Sequence, residues 1–183
     1  MLTANEILKQ QRKGNIVIQP FNIKQLNPNS YNVRLSNKIK RYDPKAILDS
    51  KTGNRHYEEL IIPEEGIILE PGILYIGSTE EIIGSDKFIS SIDGRSSFGR
   101  LGLQVHLTAG FGDIGFCGAY TLEMTVVQRL RIYADSEIAQ VSFEKPTGKI
   151  DFLYHGRYQH QDGPTESRVD QLTKYYRGYH YKG

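Results

Sequence analysis

The chain is 183 residues long, with 38% hydrophobic residues and a formal net charge of +2, which suits one domain (1–183) with a substantial core. Its lysines and arginines are dispersed, so they leave no footprint for nucleic acid, and no apolar run reaches membrane-spanning length. A single cysteine, Cys117, excludes an internal disulfide and a cysteine-cluster zinc site.

The start, MLTANEILKQQRKG, lacks a signal-peptide core, and with the lone cysteine this predicts a soluble, cytoplasmic protein that binds neither membrane nor nucleic acid. The same stretch predicts a short helix. Thr3 and Glu6 have capping-box spacing, Ile7 and Leu8 supply an apolar patch, and Lys13-Gly14 ends it. Residues 16–18 then read as a strand stopped by Pro20. Asn27-Pro28-Asn29-Ser30 is turn chemistry, followed by an alternating strand in which Tyr31, Val33 and Leu35 share a face. Asp43-Pro44 and the stretch from Ser50 to Arg55 mark a polar loop.

From Leu60 onward come short apolar runs with turn punctuation: 60–62, 66–69, 73–76, 88–92, 103–107, 119–127, 131–133 and 138–143. This spacing predicts an all-β sandwich or barrel rather than alternating βαβ units. The tail from Ile150 is polar, rich in Tyr, Gln and Gly, and too weakly periodic for a core strand. It reads as a binding arm or a frayed end.

Chemistry concentrates between Asp93 and Glu123. Arg95 and Arg100 carry planar forks suited to phosphate or carboxylate, Ser96 and Ser97 add hydroxyls, and the glycines allow close backbone approach. Surface arginines beside turn serines are common, however, so the pattern alone leaves the site open. Glu123 interrupts the apolar run 120–127 and is either paired with a cation or at work. Asp113 orients a ligand hydroxyl or closes an Asx-turn. His106, in the alternating run Leu103, Val105, Leu107, reads as a packed histidine, and Cys117 as a small buried filler. Zinc-dependent nucleobase deaminases need more cysteine than this chain has.

At these residues the chain resembles the dCTP deaminases of the trimeric dUTPase-like superfamily, over nearly its whole length. Asn29-Ser-Tyr-Asn-Val-Arg-Leu35 is similar to the family's first motif, with Asn32 where many members carry Asp. Gly94-Arg-Ser-Ser-Phe-Gly-Arg-Leu-Gly102 is similar to its phosphate signature, 106–113 with 115–118 to its nucleoside loop, and Thr121-Leu-Glu123 to its catalytic strand. Ile138-Ala-Gln-Val141 matches a further motif, and 157–161 with 163–168 the C-terminal arm.

The resemblance implies a distorted, jelly-roll-like β-barrel with a short N-terminal helix and a C-terminal arm (150–183) as a candidate lid. It implies a homotrimer with sites at subunit interfaces. The expected reaction is zinc-independent deamination of dCTP to dUTP and ammonia. The alternatives are a bifunctional enzyme forming dUMP, or a dUTP diphosphatase alone. Glu123 would be the general base and acid, Ser96 and the Ala109 carbonyl would hold the water, and Arg100 would orient Glu123. Arg95, Ser97, Phe98 and Gly99 would bind the triphosphate with its Mg2+, and Asp113 the 3′-hydroxyl. Thr121, Leu122, Gln140, Tyr154, Arg157 and Gln161 would complete the nucleotide site, and dTTP would act as feedback inhibitor. A tail (159–168) with no Phe and only one Gly fits the diphosphatase arm poorly.

Overall fold

Ile7 is fully buried and fixes the first element, helix α1 (Ala4–Arg12), against the core. Thr3 stands at its N-cap, but its side chain makes no capping bond. The expected capping box does not form, because the Glu6 carboxylate is engaged by Gln10 Nε2 at 2.5 Å and Lys9 Nζ at 3.2 Å. Gly14, with φ of 72°, ends the helix as expected.

The computed structural model describes residues 1–53 and 56–171. Asn54 and Arg55 of the polar loop, and the last part of the arm (172–183) with its tyrosines, lie outside the described residues. No helix among them is long and apolar enough to cross a membrane.

Apart from 3-10 turns at Ile23–Gln25 and Val169–Gln171, the other elements are mainly strands: β1 (Val17–Gln19), β2 (Tyr31–Arg34), β3 (Lys38–Tyr42), β4 (Tyr57–Ile61), β5 (Ile67–Leu69), β6 (Tyr75–Gly84), β7 (Ile89–Gly94), β8 (Leu103–Gln104), β9 (Phe111–Gly112), β10 (Cys117–Val126), β11 (Leu130–Ile132) and β12 (Glu137–Glu144). One four-residue helical turn, α2 (Ser96–Gly99), follows β7. The largest sheet runs β4-β3-β6-β10-β8, with β1 beside β6; the second runs β2-β12-β7-β9, and β11 pairs β5. β10 covers one edge of β6, while β1 and β3 share the other. The sheets enclose one core that includes Tyr31, Val33, Leu35, Leu122, Met124 and Phe143. This is the expected all-β, distorted jelly-roll-like barrel.

Two sequence expectations are corrected here. β6 extends well past the predicted end at Ile76, through Ser78, Thr79 and Glu81, all three at most 2% exposed. Two of the three are bonded: Thr79 Oγ1 donates to the Glu81 carbonyl at 2.7 Å, whereas Ser78 Oγ has no partner among the described residues. The Glu81 carboxylate accepts from Arg34 N at 2.8 Å, Arg34 Nε at 2.7 Å and Gln25 Nε2 at 2.9 Å. The β3–β4 hairpin was only partly visible: Lys38-Ile-Lys-Arg-Tyr42 lacks a clean alternation, yet it buries Ile39, Lys40 and Tyr42.

Candidate active site

β10 organises the site. Its register against β6 shifts between Ala119 and Thr121, and such a bulge re-aims the residues beyond it. After the shift Leu122, Met124 and Val126 point into the core at 0%, 0% and 5% exposure. Thr121, Glu123 and Thr125 turn to the other face. Glu123 lies opposite Ile76 of β6, and its Oε2 accepts the Leu107 N–H at 3.2 Å.

Leu107 belongs to a loop rather than to the predicted strand. β8 stops at Gln104, Leu107 is half exposed, and the loop is tied down by the Ile92 N–H bond to the Gly110 carbonyl at 2.7 Å. His106 is packed as expected, but neither ring nitrogen has a hydrogen-bond partner among the described residues. Burial lowers its pKa from 6.5, against the opposing pull of the Glu123 and Asp93 charges.

The loop then forms β9 and reaches Asp113. A side chain at Gly112 would place Cβ 1.9 Å from Tyr120 Oη, so only glycine lets the loop lie on that phenol. Tyr120 Oη is 2.5 Å from Ser90 Oγ, and burial pushes the phenol up to about 12. The floor under the Asp113 loop therefore stays neutral at ordinary pH.

The arm closes the opposite side. Ala119 N–H donates to the Gln161 carbonyl at 3.0 Å, and Gln161 Nε2 donates to the Ala119 carbonyl at 2.7 Å and Thr121 Oγ1 at 3.2 Å. Gln159 bridges Cys117 N and the Gly115 carbonyl at 2.9 and 2.7 Å. Cys117 itself is only half-buried. At Gly115, φ is 93° and an added Cβ would come within 2.6 Å of Leu153 Cβ, which explains glycine where the arm crosses. No strand forms from 150 to 171, yet the segment is bonded along β10 rather than frayed.

Between loop, strand and arm lies a cavity of about 620 Å3. It brings together Ala109, Asp113, Thr121 and Glu123 with Tyr154, Arg157 and Gln161 of the arm. Arg157 contributes a buried Nε–H with no acceptor among the described residues. An unsatisfied buried donor is costly, so a ligand oxygen there would be stabilised. Phe116, edge-on to Tyr120 at 5.1 Å and to Tyr154 at 5.9 Å, forms an aromatic wall that sequence reasoning did not select. Its signal was an aromatic between two glycines, Gly115 of the loop and Gly118 at the start of β10.

The other candidates do not line this cavity. Arg95 Nη1 is held by the Glu137 carbonyl at 2.7 Å and its Oε2 at 3.1 Å. Ser96, Ser97, Phe98 and Gly99 form α2, with Phe98 packed on the core, and Arg100 follows, exposed. Gln140 accepts from Ser30 Oγ at 2.9 Å and donates to the Gly94 carbonyl at 3.3 Å. Leu122 turns its side chain into the core, which leaves only its backbone for a ligand. One chain thus builds a nucleoside-sized cavity and carries its arginine-serine turn elsewhere.

The family model described as dCTP deaminase-like matches residues 1–146. The chain belongs to that dCTP deaminase-like family. It is 46% identical to a Clostridium acetobutylicum protein named dCTP deaminase, dUMP-forming, over 163 residues, 89% of this chain and 93% of that one. Proteins of the same name from Hathewaya histolytica (45%, covering 89% and 94%) and Cytophaga hutchinsonii (46%, covering 89% and 93%) match similarly. Among solved structures, the 2′-deoxycytidine 5′-triphosphate deaminase from Agrobacterium tumefaciens shares the fold, with a TM-score of 0.62 at 20% identity over 79% of this chain. This dCTP deaminase-like chain spans about half of that longer one, 47% of its length.

Proposed function

We propose that this protein converts dCTP to dUMP by two hydrolyses in one site. Water replaces the C4 amino group of cytosine, giving dUTP and ammonia. A second water then cleaves the α–β phosphoanhydride, giving dUMP and pyrophosphate. This replaces the expectation from sequence that the reaction stops at dUTP; the relatives named dUMP-forming support the bifunctional alternative. The observation that carries the reading is that Glu123 and Asp113, one carboxylate for each water, line the same cavity.

Glu123 takes a proton from the first water and passes protons to N3 and the leaving ammonia. The Ala109 carbonyl and Ser96 hold that water, and Arg100 orients Glu123. The chemistry uses no zinc. Asp113 binds the 3′-hydroxyl and serves the second water. Thr121 and the Leu122 backbone meet the base, while Tyr154, Arg157 and Gln161 cover the nucleotide and Gln140 supports the Gly94 turn. Arg95, Ser97 and the α2 amides, with Phe98 and Gly99, take the triphosphate. That donor set suits anions, so Mg2+ enters on the phosphates and neutralises their charge. A dTTP molecule fits the same groups and would compete as feedback inhibitor.

Because the α2 residues do not line the Glu123 cavity, they are proposed to reach it from a neighbouring copy in a homotrimer. Subunit mixing tests this. Glu123→Gln and Arg100→Ala should each be inactive alone. Dissociated and reassembled together, they should recover activity at about one quarter of sites, since random pairing leaves that share with both groups intact. No recovery would contradict a shared site, and an active Glu123→Gln enzyme would contradict the base.

A further inference from the structure

The segment 157–168 is a strap held at both ends. Its inner end is bonded to β10 through Gln159, His160 and Gln161. Its middle is self-packed: the guanidinium groups of Arg157 and Arg168 lie 5.3 and 5.8 Å from the Tyr158 ring, and Arg168 N–H donates to Tyr158 Oη at 3.0 Å. Its outer end meets β3, where Lys40 Nζ donates to the Glu166 carboxylate in a close ion pair and the Ser167 N–H bonds to the Tyr42 hydroxyl.

Lys40 is placed for this. It lies opposite Ile76 of β6, which in turn lies opposite Glu123 of β10. Directly opposed residues project to one face of a sheet, so Lys40, Ile76 and Glu123 form a single row, two strand spacings or roughly 10 Å long. Ile76 and Glu123 line the cavity, as does Glu166. The catalytic carboxylate therefore stands at one end of the row and the strap's ion pair at the other. Lys40 and Glu166 are only 11% and 15% exposed, which shields the pair from solvent screening. Lys40 is steadied further by Tyr57, with Nζ 3.3 Å from its hydroxyl and 4.6 Å from its ring centroid, and by Glu59 at 3.7 Å.

We propose that the Lys40–Glu166 pair is a latch that keeps the strap closed over the intermediate, so that dUTP is hydrolysed before it escapes. The inference rests on the two-step reading above. Retention matters because ammonia can leave a small gap while the nucleotide remains, and only an unlatched strap frees the nucleotide.

The test is a single-turnover chase on the full-length protein. Enzyme in excess binds labelled dCTP with Mg2+, and a large excess of unlabelled dUTP is added at once. Wild type should carry the label through to dUMP. Lys40→Met should divert several-fold more label into free dUTP per ammonia released, and Lys40→Arg should restore retention. Hydrogen exchange should show faster exchange across 157–168 in Lys40→Met. Undiverted label in Lys40→Met, or a parallel loss of ammonia and dUMP at constant ratio, would overturn the latch. Wild type losing its label as dUTP only under the chase would likewise overturn the latch, whereas wild type stopping at dUTP without any chase would instead overturn the two-step reading.

Discussion

His106 feels the Glu123 and Asp93 charges, yet neither of its ring nitrogens is bonded among the described residues. Because burial lowers its pKa from 6.5, the unfolded chain takes up the proton first as pH falls. The neutral ring's contribution to stability is thus complete above 6.5 and lost as pH drops from there toward the lowered folded value. Wild type should lose chemical stability as pH falls below 6.5, and His106→Asn should flatten that slope. Equal slopes in urea titrations would contradict it. Sequence alone identified His106 as packed, because Leu103 and Val105 beside it are apolar and buried. That its nitrogens would go unbonded was illegible, since it depends on how the loop from 105 to 110 crosses β7.

At the scale of elements, alternation carried the reading where one face is apolar and failed where burial is polar. Tyr31, Val33 and Leu35 announced β2, and all three are at most 1% exposed. The far half of β6 was hidden because Thr79-Glu80-Glu81 looks like a turn until Arg34 and Gln25 arrive from β2 and its approach. Glu81 is fully buried and accepts three of those bonds, so Glu81→Ala should destabilise the fold by about 3–5 kcal/mol, the usual cost of orphaning a buried partner. A loss below about 1 kcal/mol in equilibrium unfolding would contradict the structural role assigned to it. The bulge at Ala119/Thr121 was equally invisible, although it decides that Glu123 faces the cavity while Leu122 faces the core. The arm's docking was out of reach for a related reason: its bonds join Gln159 and Gln161 to backbone groups some 40 residues away, with no periodicity to betray them.

At the scale of the whole molecule, the barrel brings an early strand beside the last, β2 against β12, and folds the arm across β10. The same topology separates two kinds of chemistry. Carboxylates, aromatics and arm share a cavity, while Arg95 and Arg100 lie on the turn after β7. The residue identities of both halves were legible as motifs in the sequence. Their separation in one chain was legible only through the family resemblance, which implied sites shared between subunits; the spacing of the motifs alone does not reveal it.

The most direct measurement is product stoichiometry for the purified protein with dCTP and Mg2+, resolving ammonia, dUTP, dUMP and pyrophosphate. The account predicts ammonia, dUMP and pyrophosphate in equal amounts, with little free dUTP. Absence of ammonia, or ammonia accompanied by dUTP as the end product, would contradict it.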